Sequence, residues 1–457
     1  MSPWLLALLD IVAIAAVAWL GGTVVQRLHQ PRIAGEMAAV FAAVLLLGGQ
    51  IADVVPGQEA QGTIADLFPE TALTLVTAVG TLGFILYMLL VGITIDPAPM
   101  RERGGAIVLL AAATVGAMLA LALVAGPLLA DAGGWKPRDV SDGVFVLALT
   151  AVLAANGLPI VARILEDRAL THSPVGSTVI VAATLATALA LIGAAVAIGG
   201  GDVTAAGRVG LRVGAGLVLL ALALAIARAR WFSLPPIVAL VAVVALAVGS
   251  ALVGDELLRS LLIGPLIVGV AVTKAASTAV AVERWLGVAV RRVGLPVFIG
   301  LAALHTDLRE LGSGVLLSAL PLLGAVIALK LAAGYAAART AGFAPTDARA
   351  IGALMQCGGV MTIAISLDVL DAHLIDARMH ATLTLVGLVT TIAVGPLLPR
   401  RRRRAPARAG GWRSGRRRPA RVRARPGMRR GVAGSIARDH DQDAGRREER
   451  PLRLRRR

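Results

Sequence analysis

The segment SDGVFVLALTAVLAANGLPIVARIL, residues 141–165, decides the fold. It is long and apolar enough to cross a bilayer, yet Asn156, Gly157, Leu158 and Pro159 stand in its middle. Proline removes a backbone donor and glycine admits non-helical angles, so the residues predict a helix broken around Gly157 and Pro159. Unwound backbone at membrane depth persists only where protein buries it or it lines a cavity. A second stretch, GALMQCGGV (352–360), sets Gly358 and Gly359 at a comparable depth in another apolar run. Glycine and proline are common in membrane helices generally, so either break alone has an ordinary explanation. Their pairing is more informative.

The surrounding chain is built for lipid. Of 457 residues, 57% are hydrophobic and only 16% charged, with 51 glycines; a soluble domain carries roughly 25% charged residues. Runs of about 20 apolar residues, the length that spans hydrocarbon, predict thirteen transmembrane segments. They lie at 4–26, 33–49, 72–95, 104–130, 141–165, 175–200, 207–227, 233–253, 257–273, 293–304, 314–338, 348–367 and 379–398. The first has no basic residue before it and reads as a retained span rather than a cleaved signal. The net charge of +17 is confined to residues 400–457, which hold 23 arginines and five acids; the remaining 399 residues hold 22 basic and 23 acidic groups. Placing that tail in the cytoplasm puts fourteen basic loop residues on its side and seven on the other, the bias expected of a correctly oriented membrane protein. The domain organisation read from this is a membrane domain, 1–399, and an Arg-rich cytoplasmic tail, 400–457, without apolar periodicity. The single cysteine, Cys357, excludes an internal disulfide and a multi-cysteine zinc site.

Spans five and twelve differ by seven, and the same offset recurs elsewhere. Span three ends GITID (92–96) and span ten ends ALHTD (303–307). An odd offset inverts the second copy in the membrane. Interrupted segments at matching positions of two inverted halves are the sequence mark of a secondary transporter with its site near the midplane.

Seven segments in order resemble the monovalent cation:proton antiporter-2 family, which includes Kef-type and CHX-type exchangers. They are QPRIAGEM (30–37), VGTLGFILYMLLVGITID (79–96), LPIVARILEDRAL (158–170), IGPLIVG (263–269), LPVFIGLAALHTDL (295–308), GALMQCGGV (352–360) and the stretch LVTTIAVGPLL ending at Leu398. The resemblance implies an all-α inverted-repeat fold of about thirteen helices with two crossing discontinuous helices. It also implies a core and a dimerisation domain, a homodimer, and exchange of Na⁺ or K⁺ for protons. Its departures fall on the chemistry. The acidic positions expected in span six align with Ala186 and Thr187, and 175–200 contains no ionisable residue. Thr94, Gly358, Thr362 and His305 likewise stand where the family carries other, mostly charged, residues.

Within the spans, Lys330 is the group most in need of explanation, because a charge at a helix centre costs about 2.5 to 3.5 kcal/mol on insertion scales. It matches the family's core-facing lysine without that family's carboxylate partner. It is either a proton-carrying or anion-attracting group, or a structural donor to unwound carbonyls of span five or twelve. Asn156 and Thr187 are candidate neutral oxygen ligands for a cation, with interhelical hydrogen bonding as the alternative. Glu36 reads as lining a cytoplasmic funnel or pairing at the interface, Asp96 and Asp307 as interfacial caps, and Arg163, Glu166, Asp167 and Arg168 as a helix-end charge cluster. The tail suits anionic headgroups or is an out-of-frame end of a GC-rich gene. With only Trp412 to stack on bases, it does not suit nucleic acid.

The expected function is a multi-pass cell-membrane antiporter of a monovalent cation and protons, with no cofactor. The alternative is a transporter-like protein without exchange activity, a degenerate or regulatory subunit lacking the span-six carboxylates. No HExxH, GxSxG or paired intramembrane carboxylates point to an enzyme.

Overall fold

The computed structural model describes residues 3–28, 30–47, 70–95, 98–131, 135–171, 173–202, 204, 206–211, 214, 235–258, 263–273, 276–304 and 313–398. Among these there is no strand. The first half comprises α1 (Pro3–Arg27), α2 (Arg32–Leu47), α3 (Glu70–Thr94), α4 (Ala98–Asp131), α5 (Asp142–Ala154), α6 (Leu158–Asp167) and α7 (Pro174–Ile198). The second comprises α8 (Pro236–Leu258), α9 (Ile263–Val272), α10 (Ala276–Ala289), α11 (Leu295–Leu304), α12 (Ser313–Thr340), α13 (Pro345–Met355), α14 (Gly359–Asp371) and α15 (Ala377–Leu397). Ten helical rods among the described residues are long and apolar enough to cross a membrane, counting each broken pair as one. Large apolar side chains such as Trp4, Leu8, Trp19, Val124 and Val241 are exposed along them, the arrangement hydrocarbon demands.

Both predicted breaks are present. α5 ends at Ala154, residues 155–157 are unwound, and α6 begins at Leu158 with Pro159 in its first turn, where a missing N–H costs nothing. α13 ends at Met355 and α14 begins at Gly359, whose φ of +59° is the left-handed region that glycine adopts most freely. The two half-helices that follow the breaks finish alike. After α6, Ala169 takes φ +51° and Leu170 N–H bonds Leu165 O; after α14, His373 takes φ +55° and Leu374 N–H bonds Val369 O. This is the Schellman closure, repeated once per half. α4 packs on α5, α7 and α12, while α3 packs on α9 and α11. At Gly92 a Cβ would strike the α9 backbone at Leu266 and Gly269.

One expectation is corrected. Span ten is not an isolated segment after a charged loop: α10, a π-helical turn at Val290–Gly294 and α11 form one rod, of which Ser277–Leu304 is long enough to span. Of the charges that suggested a loop, Arg291 is paired, with Glu283 at 2.7 Å and with Glu166 at 3.1 Å. Because they lie within the rod Ser277–Leu304, Arg284, Arg291 and Arg292 leave the loop count on the tail side. Most of span seven, together with Asp96, His305, Asp307, Trp412 and the tail 400–457, lies outside the described residues.

Candidate functional site

The two breaks meet. Gly157 N–H donates to Cys357 O at 2.8 Å, and a Cβ on Gly157 would come within 2.9 Å of Gly358 O and 3.0 Å of Gly359 Cα. Only glycine backbones approach this closely, which is why Gly157, Gly358 and Gly359 occupy the crossing.

A broken helix exposes its last carbonyls, and the end of α5 would leave them buried without donors. Lys330, on α12 and 1% exposed, supplies the donors: its Nζ donates to Leu153 O at 3.0 Å and to Ala155 O at 2.8 Å. A cation at a helix C-terminus also opposes the negative end of the helix dipole. Of the two roles considered for Lys330, the structural tie is thus visible in the geometry. Thr187, on α7, serves the next residue. Its hydroxyl accepts from Asn156 N at 3.1 Å and donates to Asn156 O at 3.2 Å, so one side chain closes both backbone groups of the unwound residue. Asn156 Nδ2 donates to Ala154 O at 3.3 Å. Lys330, Asn156 and Thr187 therefore converge on the end of α5. Ala186, fully buried beside Thr187, adds only a methyl group.

The second break is served in the same way by residues that sequence reasoning missed. On α15, Thr390 Oγ1 accepts from Gly358 N at 3.2 Å, Thr390 O accepts from Gln356 Nε2 at 2.8 Å, and Thr391 Oγ1 lies 3.7 Å from Cys357 Sγ. The available signal was the repeat itself: a threonine on the helix after each broken pair, 31 residues beyond Asn156 and 34 beyond Gln356. A Cβ on Gly358 would lie 2.5 Å from Thr362 Oγ1 and 3.2 Å from Thr390 Oγ1. The position that the resemblance gives to Arg or Lys is closed here by hydroxyls.

At the far end of α6 the charge cluster extends beyond its expected members. Asp167 accepts from the Arg32 backbone at the start of α2, and Arg163 lies 3.4 Å from Glu166. Glu36 pairs with Arg32 at 2.6 Å, the interfacial pairing of its two readings. A cavity of about 930 Å³, lined by Thr94, Glu166, Thr171, Ser173, Glu283 and Arg291, opens between α3, α6 and α10.

Two interrupted helices crossing at their breaks, with polar side chains drawn to the freed backbone, define a secondary-transporter architecture. Residues 12–400 match the family described as sodium/hydrogen exchanger, transmembrane, and the chain belongs to it. It is 27% identical over 173 residues to the Na(+)/H(+) antiporter NhaS4 of Synechocystis, covering 38% of this chain and 40% of that protein. It is 24% identical over 200 residues to Cation/H(+) antiporter 18 of Arabidopsis thaliana, covering 43% of this chain and 23% of that one. The aligned part thus spans less than half the length of either relative. The fold is similar to the sodium proton antiporter MjNhaP1 of Methanocaldococcus jannaschii, with a TM-score of 0.57 and 15% identity over 87% of this chain and 96% of that one.

Proposed function

We propose that this multi-pass membrane protein exchanges a monovalent cation, Na⁺ or K⁺, for protons, and that the exchange takes place where the end of α5 meets the second break. The observation that carries this reading is the position of Lys330, whose amino group rests on the carbonyls a dehydrated cation would use. Backbone carbonyls at a half-helix C-terminus are cation ligands in transporters. An ammonium and an alkali cation about 5 Å apart repel by about 3 kcal/mol at an effective dielectric of about 20. That is a factor of more than about a hundred in binding. The two occupants therefore exclude one another: a cation enters as Lys330 gives up its proton, and leaves as the proton returns. Exchange follows without a carboxylate on α7.

Within the family, the seven ordered segments favour the antiporter-2 branch. By the same resemblance the chain forms a homodimer in the cell membrane, and the arginine bias places the C-terminus in the cytoplasm. A second reading, a scaffold without exchange, is favoured by one observation: α7 carries no ionisable residue. Cation-driven proton flux in proteoliposomes separates the two, using wild type, Lys330→Ala and Ala186→Asp. Exchange through Lys330 predicts wild-type flux that falls at least about tenfold in Lys330→Ala. Flux absent from wild type and gained in Ala186→Asp would establish the inactive scaffold instead.

A further inference from the structure

Asn156 and Gln356 are the side-chain amides at the crossing, both fully buried. Each amide is oriented by a backbone carbonyl, Ala154 O for Asn156 Nδ2 and Thr390 O for Gln356 Nε2. A carbonyl accepts only from the NH₂ side, so these bonds fix which end of each amide is oxygen. Asn156 Oδ1 and Gln356 Oε1 are then left without a hydrogen-bond partner. Buried acceptors are normally satisfied, and here two are orphaned, one in each repeat, flanking the Gly157–Cys357 bond.

We infer that Gln356 Oε1 is a cation ligand alongside Asn156 Oδ1, and that the site is built from neutral amide oxygens, one from each break. The inference rests on the exchange reading for the route of the cation, but not for its binding. Neutral oxygens attract a cation less strongly than carboxylates do, and the difference is greatest for the smallest ion, whose dehydration is the most costly. The site therefore selects K⁺ over Na⁺. A carboxylate introduced at either amide shifts the preference towards Na⁺.

The test is cation-dependent thermal stabilisation of the full chain in detergent, titrated with KCl and NaCl against choline chloride. A ligand that binds only the folded state raises Tm as the logarithm of one plus its concentration over Kd, so the concentration at which the rise begins reports the affinity. Wild type is expected to respond to K⁺ at lower concentration than to Na⁺. Gln356→Leu is expected to lose at least about tenfold in apparent K⁺ affinity, and Gln356→Glu to reverse the order of the two ions. A wild-type K⁺ response retained in Gln356→Leu, or absent from wild type altogether, overturns the inference. Should Gln356→Leu not fold, an unchanged K⁺/Na⁺ order in Gln356→Glu overturns it equally. Stabilisation that depends on Gln356 in a protein without proteoliposome flux keeps the ligand and discards the exchange.

Discussion

Thr187 shows how much a single hydroxyl does at the break. It bonds both backbone groups of Asn156, sharing the carbonyl with Leu158 N–H at 2.8 Å and accepting from Asn156 N–H at 3.1 Å. Thr187→Val keeps the shape and leaves the buried Asn156 N–H unpaired, while the carbonyl keeps its bond from Leu158 N–H, a loss of about 1–3 kcal/mol. Thermal unfolding in detergent is expected to show this as a lowered Tm, with Thr187→Ser close to wild type. A Thr187→Val protein as stable as wild type would mean that the break finds its hydrogen bonds elsewhere. At this scale the sequence was legible where chemistry is costly. Lys330 stood out because a lysine in an apolar run has to be explained, and Asn156 because it sits beside Gly-Leu-Pro. Gln356, Thr390 and Thr391 did not stand out, because neutral polar residues in membrane helices usually make routine interhelical bonds. Only the position of the second break gives them meaning.

Among the elements, the interrupted helices were readable because glycine and proline leave few conformational alternatives inside an apolar segment. Gly359 carries the strongest constraint. Its φ is +59°, and a Cβ there would meet Ile160 Cδ1 at 2.5 Å and Gly157 Cα at 3.1 Å. Gly359→Ala is therefore expected to lower stability by more than the roughly 1–2 kcal/mol of left-handed strain alone. Gly116→Ala, inside α4 with nothing within 4 Å of the added Cβ, is expected to gain about 0.5–1 kcal/mol. Thermal melts of the two variants check both the sign and the contrast. The α10–α11 rod was misread because periodicity weighs charge by residue, whereas the structure weighs it by pair. Glu283 and Arg291 neutralise each other, and Arg291 also holds Glu166 on the half-helix α6. No local pattern shows a partner 125 residues away.

For the whole molecule, the inverted repeat was legible as an offset of seven spans, and the structure gives it a physical basis. Each half breaks a helix, crosses the other half at the break, and ties the freed backbone with a threonine from the following helix. The sequence could not say how the chain manages without acids on α7. In the structure a lysine holds the end of one half-helix, and two amide oxygens lie unpaired nearby. In the exchange proposed above, the lysine proton and the transported cation compete for this place. That competition is tested most directly by adding KCl or NaCl to the purified protein in weakly buffered solution and recording proton release with a pH indicator. Competition predicts a proton released for each cation bound, and none from Lys330→Met. Cation binding without proton release, or equal release from Lys330→Met, would contradict it.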